Sequence, residues 1–174
     1  MADWETRAVR SDGCRIAYDC RQGEGPEVVL LHGYGLDRTM WAPQLAALEG
    51  WTVLNLDIRG HGDSRPCADF SIPQAAEDLR AVLVKERCRA PVLVGLSMGG
   101  YGALRNGLKY HDAFGKICCF APALELEYTM DSTYDAEDYL RNRGFVEAHY
   151  GKGLEDPVET DKNPLWLIDQ LCAQ

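Results

Sequence analysis

The chain has 174 residues, 46% apolar and 26% charged, and its 27 acidic and 18 basic side chains give a formal net charge of −9. This length fits a single domain over residues 1–174 with a sizeable core. The acidic balance disfavours nucleic acid and anionic membranes as partners, since both repel it. No apolar run approaches the roughly 18 residues needed to span a bilayer. The charged N-terminal segment has no apolar stretch typical of a signal peptide, so we expect a cytoplasmic protein.

Strand and helix signals alternate along the chain, which predicts an α/β fold with a mostly parallel sheet and helices on both faces. Residues 14–18 predict an antiparallel opening strand. Four apolar runs predict parallel strands: 28–31, 52–56, 92–94 and 116–120. A short helix is predicted at 40–48.

Two longer helices are predicted between these strands. The first begins after Ser71, whose hydroxyl can cap the helix with Gln74 reaching back. Ala75, Leu79 and Val82 then recur on one face at helical spacing. The second follows Ser97 and carries glycines that weaken a helix, which makes sense if it presses close against the sheet.

The region after residue 120 has a different character. No clear period extends over 121–134, and a helix is predicted over 135–149, followed by another that begins at Asn163-Pro164. We therefore expect a core over 1–120 and a partial cap or helical region over 121–174.

Seven cysteines occur without the spacing of a disulfide framework or a zinc site. Cys118 and Cys119 are adjacent in a predicted strand and therefore face opposite sides. We expect buried, reduced thiols, in keeping with a cytoplasm, and no metal or other cofactor.

The segment Gly95-Leu96-Ser97-Met98-Gly99 lies between a predicted strand and a predicted helix. A serine hydroxyl is a weak nucleophile and must be exposed and supported before it reacts. A sharp strand-to-helix turn presents the hydroxyl at its tip, and flanking glycines avoid clashes that a Cβ would make. The segment therefore predicts a nucleophile elbow with Ser97 as the catalytic nucleophile.

Two loops upstream of this turn also follow predicted strands. They are His-Gly-Tyr-Gly at 32–35 and Asp-Ile-Arg-Gly-His-Gly-Asp-Ser at 57–64. Asp57 is expected to fix its loop rather than to act in catalysis. Together with the turn at Ser97, these loops stand in the order and at roughly the spacing seen in α/β-hydrolases. The sequence closely resembles that superfamily from about residue 14 to residue 120.

The resemblance implies an α/β-hydrolase fold and a serine hydrolase that acts on small carboxylic esters through an acyl-enzyme. It also implies an oxyanion hole formed by the backbone N–H groups of Tyr34 and Met98. Dehalogenases and epoxide hydrolases of this superfamily use aspartate at the elbow, so the serine argues against their chemistry.

The two parts of the chain resemble different branches of the superfamily. Up to Gly100 the sequence resembles lipases, esterases and C–C hydrolases. Over residues 101–124 it is more similar to esterase D and S-formylglutathione hydrolase. Both branches use a Gly-Leu-Ser-Met-Gly-Gly elbow, which raises the hypothesis of a junction between two hydrolase genes at this shared segment.

A serine nucleophile needs a base, and the base needs an acid that orients it. In α/β-hydrolases the acid and then the histidine follow the serine along the chain. Only about five core strands are predicted here, so we expect the last core strands, and the segments that carry both partners, to be lacking.

Four histidines are candidates for the base. His32 and His61 are interpreted as loop-shaping residues and His111 as a surface residue. His149 is the possible base, although a solvated helix face is the favoured interpretation. Three acids precede it and keep the order serine, acid, histidine: Asp131, Asp135 and Asp138. The alternative to an esterase is an inactive or incomplete hydrolase fragment, or a binding module with this fold. A base near Ser97 distinguishes the two.

Overall fold

A computed structural model of the protein describes residues 4–67, 70–122, 167–168 and 171–172. In this part of the chain six strands form one sheet: β1 (Glu5–Ser11), β2 (Cys14–Arg21), β3 (Glu27–Leu31), β4 (Thr52–Leu56), β5 (Val92–Leu96) and β6 (Lys116–Phe120). Their order across the sheet is β1-β2-β4-β3-β5-β6. The first three strands in this order pair antiparallel, and the last four pair parallel.

Helical elements cover both faces of the sheet, as predicted. They are a 3₁₀ segment (Arg38–Leu48), helix α1 (Ile72–Glu86), helix α2 (Met98–Lys109) and a short 3₁₀ turn (His111–Ala113). On one face, Leu79 and Val82 of α1 and Ala103 of α2 join an apolar cluster with strand side chains. On the other face, Trp41 of the 3₁₀ segment packs with Val28 of β3 and its neighbours.

Strand β1 was not predicted, so the expected count of about five strands is wrong by one for the described residues. Its side chains are mostly exposed or half-buried and show no apolar alternation that would mark a strand. Asp12 and Gly13, both with positive φ, form the two-residue turn that joins it to β2. Asp-Gly is a preferred pair for such hairpins, and this was the local signal available in the sequence.

The helix predicted at 40–48 is instead a 3₁₀ segment that begins two residues earlier, at Arg38. Pro43 lies inside it and has no N–H to donate to an α-helical hydrogen bond. Asp37 caps its first turn by accepting from the Thr39 N–H at 2.9 Å. By contrast, α1 begins after the predicted cap, and the Gln74 N–H donates to the Ser71 hydroxyl at 3.3 Å.

The expectation of reduced thiols throughout is wrong for one pair. The structure joins Cys14, at the start of β2, to Cys67 as a disulfide, with Cα atoms 5.3 Å apart and a separation of 53 positions in sequence. A contact over that separation leaves no spacing signal to detect in a single sequence.

The predicted helix over 135–149 lies outside the described residues. Of the helix predicted from Asn163 onward, residues 167–168 and 171–172 are described, and these are helical. Across the described ranges, every helix falls short of the length and apolar character that crossing a membrane requires.

Candidate active site

Four neighbouring strands, β4, β3, β5 and β6, run parallel, so their carboxyl ends meet at one edge of the sheet. The residues that follow them there are Asp57, His32, Ser97 and Ala121. Ligands of open parallel sheets bind outside the carboxyl ends of the strands. The turn at Ser97 and the loop that begins at His32 are neighbours at this edge because β3 and β5 are paired.

Ser97 is the single residue between β5 and α2, which is the strand-to-helix turn that the sequence predicted. Its backbone has φ 53° and ψ −117°, a conformation that residues with a side chain rarely adopt. The Ser97 N–H donates to the Phe120 carbonyl at 3.0 Å, and its carbonyl accepts from the Tyr101 N–H at 2.9 Å. The surrounding backbone thus holds the serine in a strained turn.

Close backbone packing explains the glycines on either side of this serine. A Cβ on Gly95 would lie 2.0 Å from the Gly99 carbonyl oxygen. A Cβ on Gly99 would lie 2.3 Å from the Leu31 carbonyl oxygen. Both distances are far below a van der Waals contact, so α2 can press against the sheet at this point only with glycine at both positions.

His32 ties the loop after β3 to the loop after β4. Its Nε2 accepts from the Ile58 N–H at 2.9 Å, which leaves the proton on Nδ1 to be donated to the Gly33 carbonyl at 2.8 Å. Burial lowers the pKa of this fully buried imidazole, so the neutral ring is favoured. Both ring nitrogens are occupied, and His32 shapes the loop as interpreted from the sequence.

Tyr34 and Met98, whose N–H groups are expected to bind an oxyanion, belong to segments that run next to the serine. A Cβ built on Gly33 would be 3.4 Å from the Ser97 Cβ, so the loop that carries Tyr34 passes beside the serine. Met98 is the first residue of α2, where the backbone N–H has no partner within the helix and the helix dipole favours negative charge. Tyr34 and Met98 also line the same cavity as Ser97.

The loop at 57–64 is fixed by buried polar contacts. Asp57, with no exposed surface, accepts from the Arg38 N–H and the Asp63 N–H, each at 2.8 Å, and pairs with the Arg38 guanidinium. Arg59 forms two hydrogen bonds of 2.8 Å with Asp78 of α1. Asp57 therefore holds its loop in place, as expected from the sequence.

The described residues bring no histidine into hydrogen-bond contact with the Ser97 hydroxyl. His32 has both nitrogens engaged, and the Nδ1 of His61 lies 3.0 Å from the Arg59 carbonyl. His111 follows the opposite end of α2. His149, the possible base, and the three acids that precede it lie outside the described residues. Nor do the described residues group three or more His, Cys, Asp or Glu side chains that could hold a metal ion.

A cavity of about 240 Å³ opens beside Ser97 and extends between the sheet, α1 and α2. Ala75 and Leu79, which the sequence marked only as part of an apolar helix face, line it from α1. Gly102 lines it from α2 and was not distinguished from the other glycines of that helix. A repeat of apolar residues identifies the inner face of a helix but not a gap between two helices.

Comparison with known proteins places the chain in one family. The profile of the alpha/beta hydrolase family matches residues 28–169. A dihydrolipoyllysine-residue acetyltransferase component of the acetoin cleaving system from Cupriavidus necator is 39% identical over 154 residues, 85% of this chain and 38% of that protein. A pimeloyl-[acyl-carrier protein] methyl ester esterase from Vibrio atlanticus is 32% identical over 100 residues, 57% of this chain and 37% of that protein.

Among solved structures, epoxide hydrolase A from Mycobacterium thermoresistibile superposes with a TM-score of 0.61 at 26% identity. The match covers 66% of this chain and 38% of that one. The chain therefore spans under two fifths of the length of each of these three proteins.

Proposed function

The chain belongs to the alpha/beta hydrolase family, and from that premise we propose that it is a serine hydrolase that cleaves small carboxylic esters through an acyl-enzyme. The observation that carries the proposal is the strained turn at Ser97, held between glycines at the start of α2 and lining a cavity. Strain of this kind persists where the surroundings enforce it, and it gathers at active sites. The similarity to a methyl ester esterase supports ester substrates over other acyl compounds.

In this proposal the Ser97 hydroxyl attacks the ester carbonyl carbon, and the alcohol leaves with a proton as the acyl group stays on the serine. Water then releases the acid and restores the hydroxyl. The N–H groups of Tyr34 and Met98 would stabilise the oxyanion of each tetrahedral intermediate. Such donors cost no reorganisation when they are fixed beforehand, as Met98 is by α2 and Tyr34 by the His32-anchored loop.

The base is the part of this mechanism that rests on sequence order alone. His149 stays the proposed candidate, with an acid among Asp131, Asp135 and Asp138. We keep the cytoplasm as the proposed location, which the five free cysteines support and the Cys14–Cys67 disulfide opposes.

A second candidate function is favoured by one observation, the lack of a histidine partner for the Ser97 hydroxyl among the described residues. Without a base to accept its proton, the Ser97 hydroxyl would stay protonated, and the chain would be a binding module or an inactive hydrolase fragment. An oxyanion hole acting without the triad still gives roughly 10³–10⁴-fold acceleration over water.

Hydrolysis of 4-nitrophenyl acetate by the purified chain and by Ser97→Ala tests the proposal. We expect the substitution to abolish hydrolysis, because the nucleophile acts as a unit with its partners. Ser11→Ala, which removes the same hydroxyl from the edge strand β1, is the matched control and should keep full activity. Hydrolysis that survives Ser97→Ala would contradict the proposal.

His149→Ala separates the two candidates. If His149 is the base, the rate should fall nearly as far as in Ser97→Ala. The inactive fragment is favoured if wild-type turnover is at most roughly 10³–10⁴-fold above the uncatalysed rate and His149→Ala leaves that turnover unchanged.

A further inference from the structure

The cavity beside Ser97 follows one stripe of α2. Gly99, Gly102 and Asn106 line it at successive turns of the helix. At a rise of about 1.5 Å per residue, this stripe is roughly 10 Å long. The cavity therefore extends from the elbow into the space between the helices and the sheet, rather than ending at the surface near the serine.

The charged groups on its wall already have charged partners. Arg59 and Asp78 form a buried, two-pronged ion pair with side chains 3% and 5% exposed. Asp57 accepts two backbone N–H groups and pairs with Arg38. A ligand with its own charge would be desolvated here without a free counter-charge among these groups. The cavity suits an uncharged, apolar group.

Gly102 differs from the other glycines of α2. A Cβ on Gly99 would lie 2.3 Å from the Leu31 backbone carbonyl oxygen, so packing requires glycine there. A Cβ on Gly107 would lie 2.4 Å from the Ile117 Cδ1, so that side chain would have to move. A Cβ on Gly102 would meet only the Leu31 Cδ1, at an ordinary 3.8 Å. Glycine weakens a helix interior relative to alanine, and packing does not require it here. What the missing side chain provides is cavity space.

The inner end of the cavity has a defined wall. Leu79 of α1 and Asn106 of α2 line both this cavity and a second one of about 140 Å³, so they stand between the two. An occupant that enters from Ser97 therefore meets a boundary after about two turns of α2.

We propose that this cavity binds an uncharged alkyl chain of the ester substrate, with Gly102 and Ala75 setting how much chain it admits. The inference rests on the proposed esterase function and adds the substrate class. Its volume exceeds the roughly 150 Å³ of a cavity that holds a benzene ring, so a chain of several carbons fits. Longer chains stop at Leu79 and Asn106.

Equilibrium binding of straight-chain methyl ketones to the full chain, measured by calorimetry, tests this inference. These probes are uncharged and resist hydrolysis, so they report on the cavity whether or not Ser97 is an active nucleophile. Each methylene that enters should strengthen binding about fourfold, until the chain reaches the inner wall.

Gly102→Leu and Ala75→Leu fill the cavity from opposite helices. Each should weaken binding of the longest ketones at least about tenfold while sparing the shortest, since only the deep part is blocked. Val84→Leu, on the exposed side of α1, is the matched control and should bind like the wild type. Thermal unfolding identifies a variant that fails to fold, and the other variant then carries the test.

Affinity that does not rise with chain length, or a length dependence unchanged in the folded leucine variants, would overturn the inference. If Ser97-dependent ester hydrolysis accompanies that result, the proposed function stands and only the substrate class is lost. If the ketones bind as expected but no Ser97-dependent hydrolysis is found, the esterase proposal fails and an apolar binding site remains.

Discussion

The loops that follow β4 and β5, the two neighbours of β3 in the sheet, differ in how their polar groups are paired. In the loop at 57–64, Asp57 and Arg59 are buried and every charge has a partner. At the turn after β5, Ser97 has a strained backbone, and its hydroxyl makes no hydrogen bond within the described residues. Buried polar groups that are satisfied stabilise a fold, whereas an unpartnered hydroxyl in a strained turn does not. The paired groups of the first loop stabilise the fold, whereas the second leaves the Ser97 hydroxyl available.

The largest expected effect comes from breaking the stable loop. Asp78→Ala leaves the Arg59 guanidinium buried without its carboxylate, which should lower the free energy of unfolding by about 3–5 kcal/mol. Its neighbour Glu77 pairs with Arg80 on the exposed side of α1, so Glu77→Ala should cost less than about 0.5 kcal/mol. Urea unfolding of both variants measures the difference. Equal costs would show that the loop is not held as described.

Acid should weaken the tie between the two loops through His32. Burial lowers its pKa in the folded state, so below about pH 6.5 the unfolded chain binds a proton that the folded chain resists. This contribution is present above about pH 6.5 and should be lost as pH falls, at up to about 1.4 kcal/mol per pH unit.

Unfolding free energies of the wild type and His32→Gln between pH 7.5 and 5.5 check this expectation. The variant should show a shallower decline with acid than the wild type. An unchanged slope in His32→Gln would rule out the buried, neutral ring.

Relieving the strain of the turn at Ser97 should stabilise the fold, whereas removing a charge from the loop at 57–64 or its partner should destabilise it. Ser97→Gly relieves a φ of 53° and should stabilise the fold by about 1 kcal/mol. Ser97→Ala removes the same hydroxyl but keeps the strain, so stability should stay within about 0.5 kcal/mol of the wild type. Both variants should lose any ester hydrolysis. Destabilisation by Ser97→Gly in thermal unfolding would show that the turn is not strained.

Local patterns in the sequence predicted the parts of the fold that depend on local contacts. The parallel strands, the Ser71 cap and the turn at Ser97 each leave a signal within a few residues. The pairing of Arg59 with Asp78 and the Cys14–Cys67 bond join distant segments and leave no such signal. Strand β1 was not predicted because its side chains are exposed or half-buried, and its sequence therefore has no apolar alternation.

The candidate site likewise has features with a local signal in the sequence and features that depend on contacts between distant segments. The elbow and the loop beside it are short motifs, and the sequence placed them at one edge of the sheet. The special position of Gly102 depends on how far α1 stands from α2, which the residues of one helix cannot indicate. Only the environment of a Cβ at each glycine distinguishes Gly102 from Gly99.

Labelling by a fluorophosphonate, followed by mass spectrometry of the peptides, tests most directly whether Ser97 is the nucleophile of this protein. The account predicts a single phosphonylated serine at Ser97 in the folded chain, and no labelling in Ser97→Ala or after unfolding in urea. Labelling at a different residue, or a folded chain that stays unlabelled at Ser97, would contradict it.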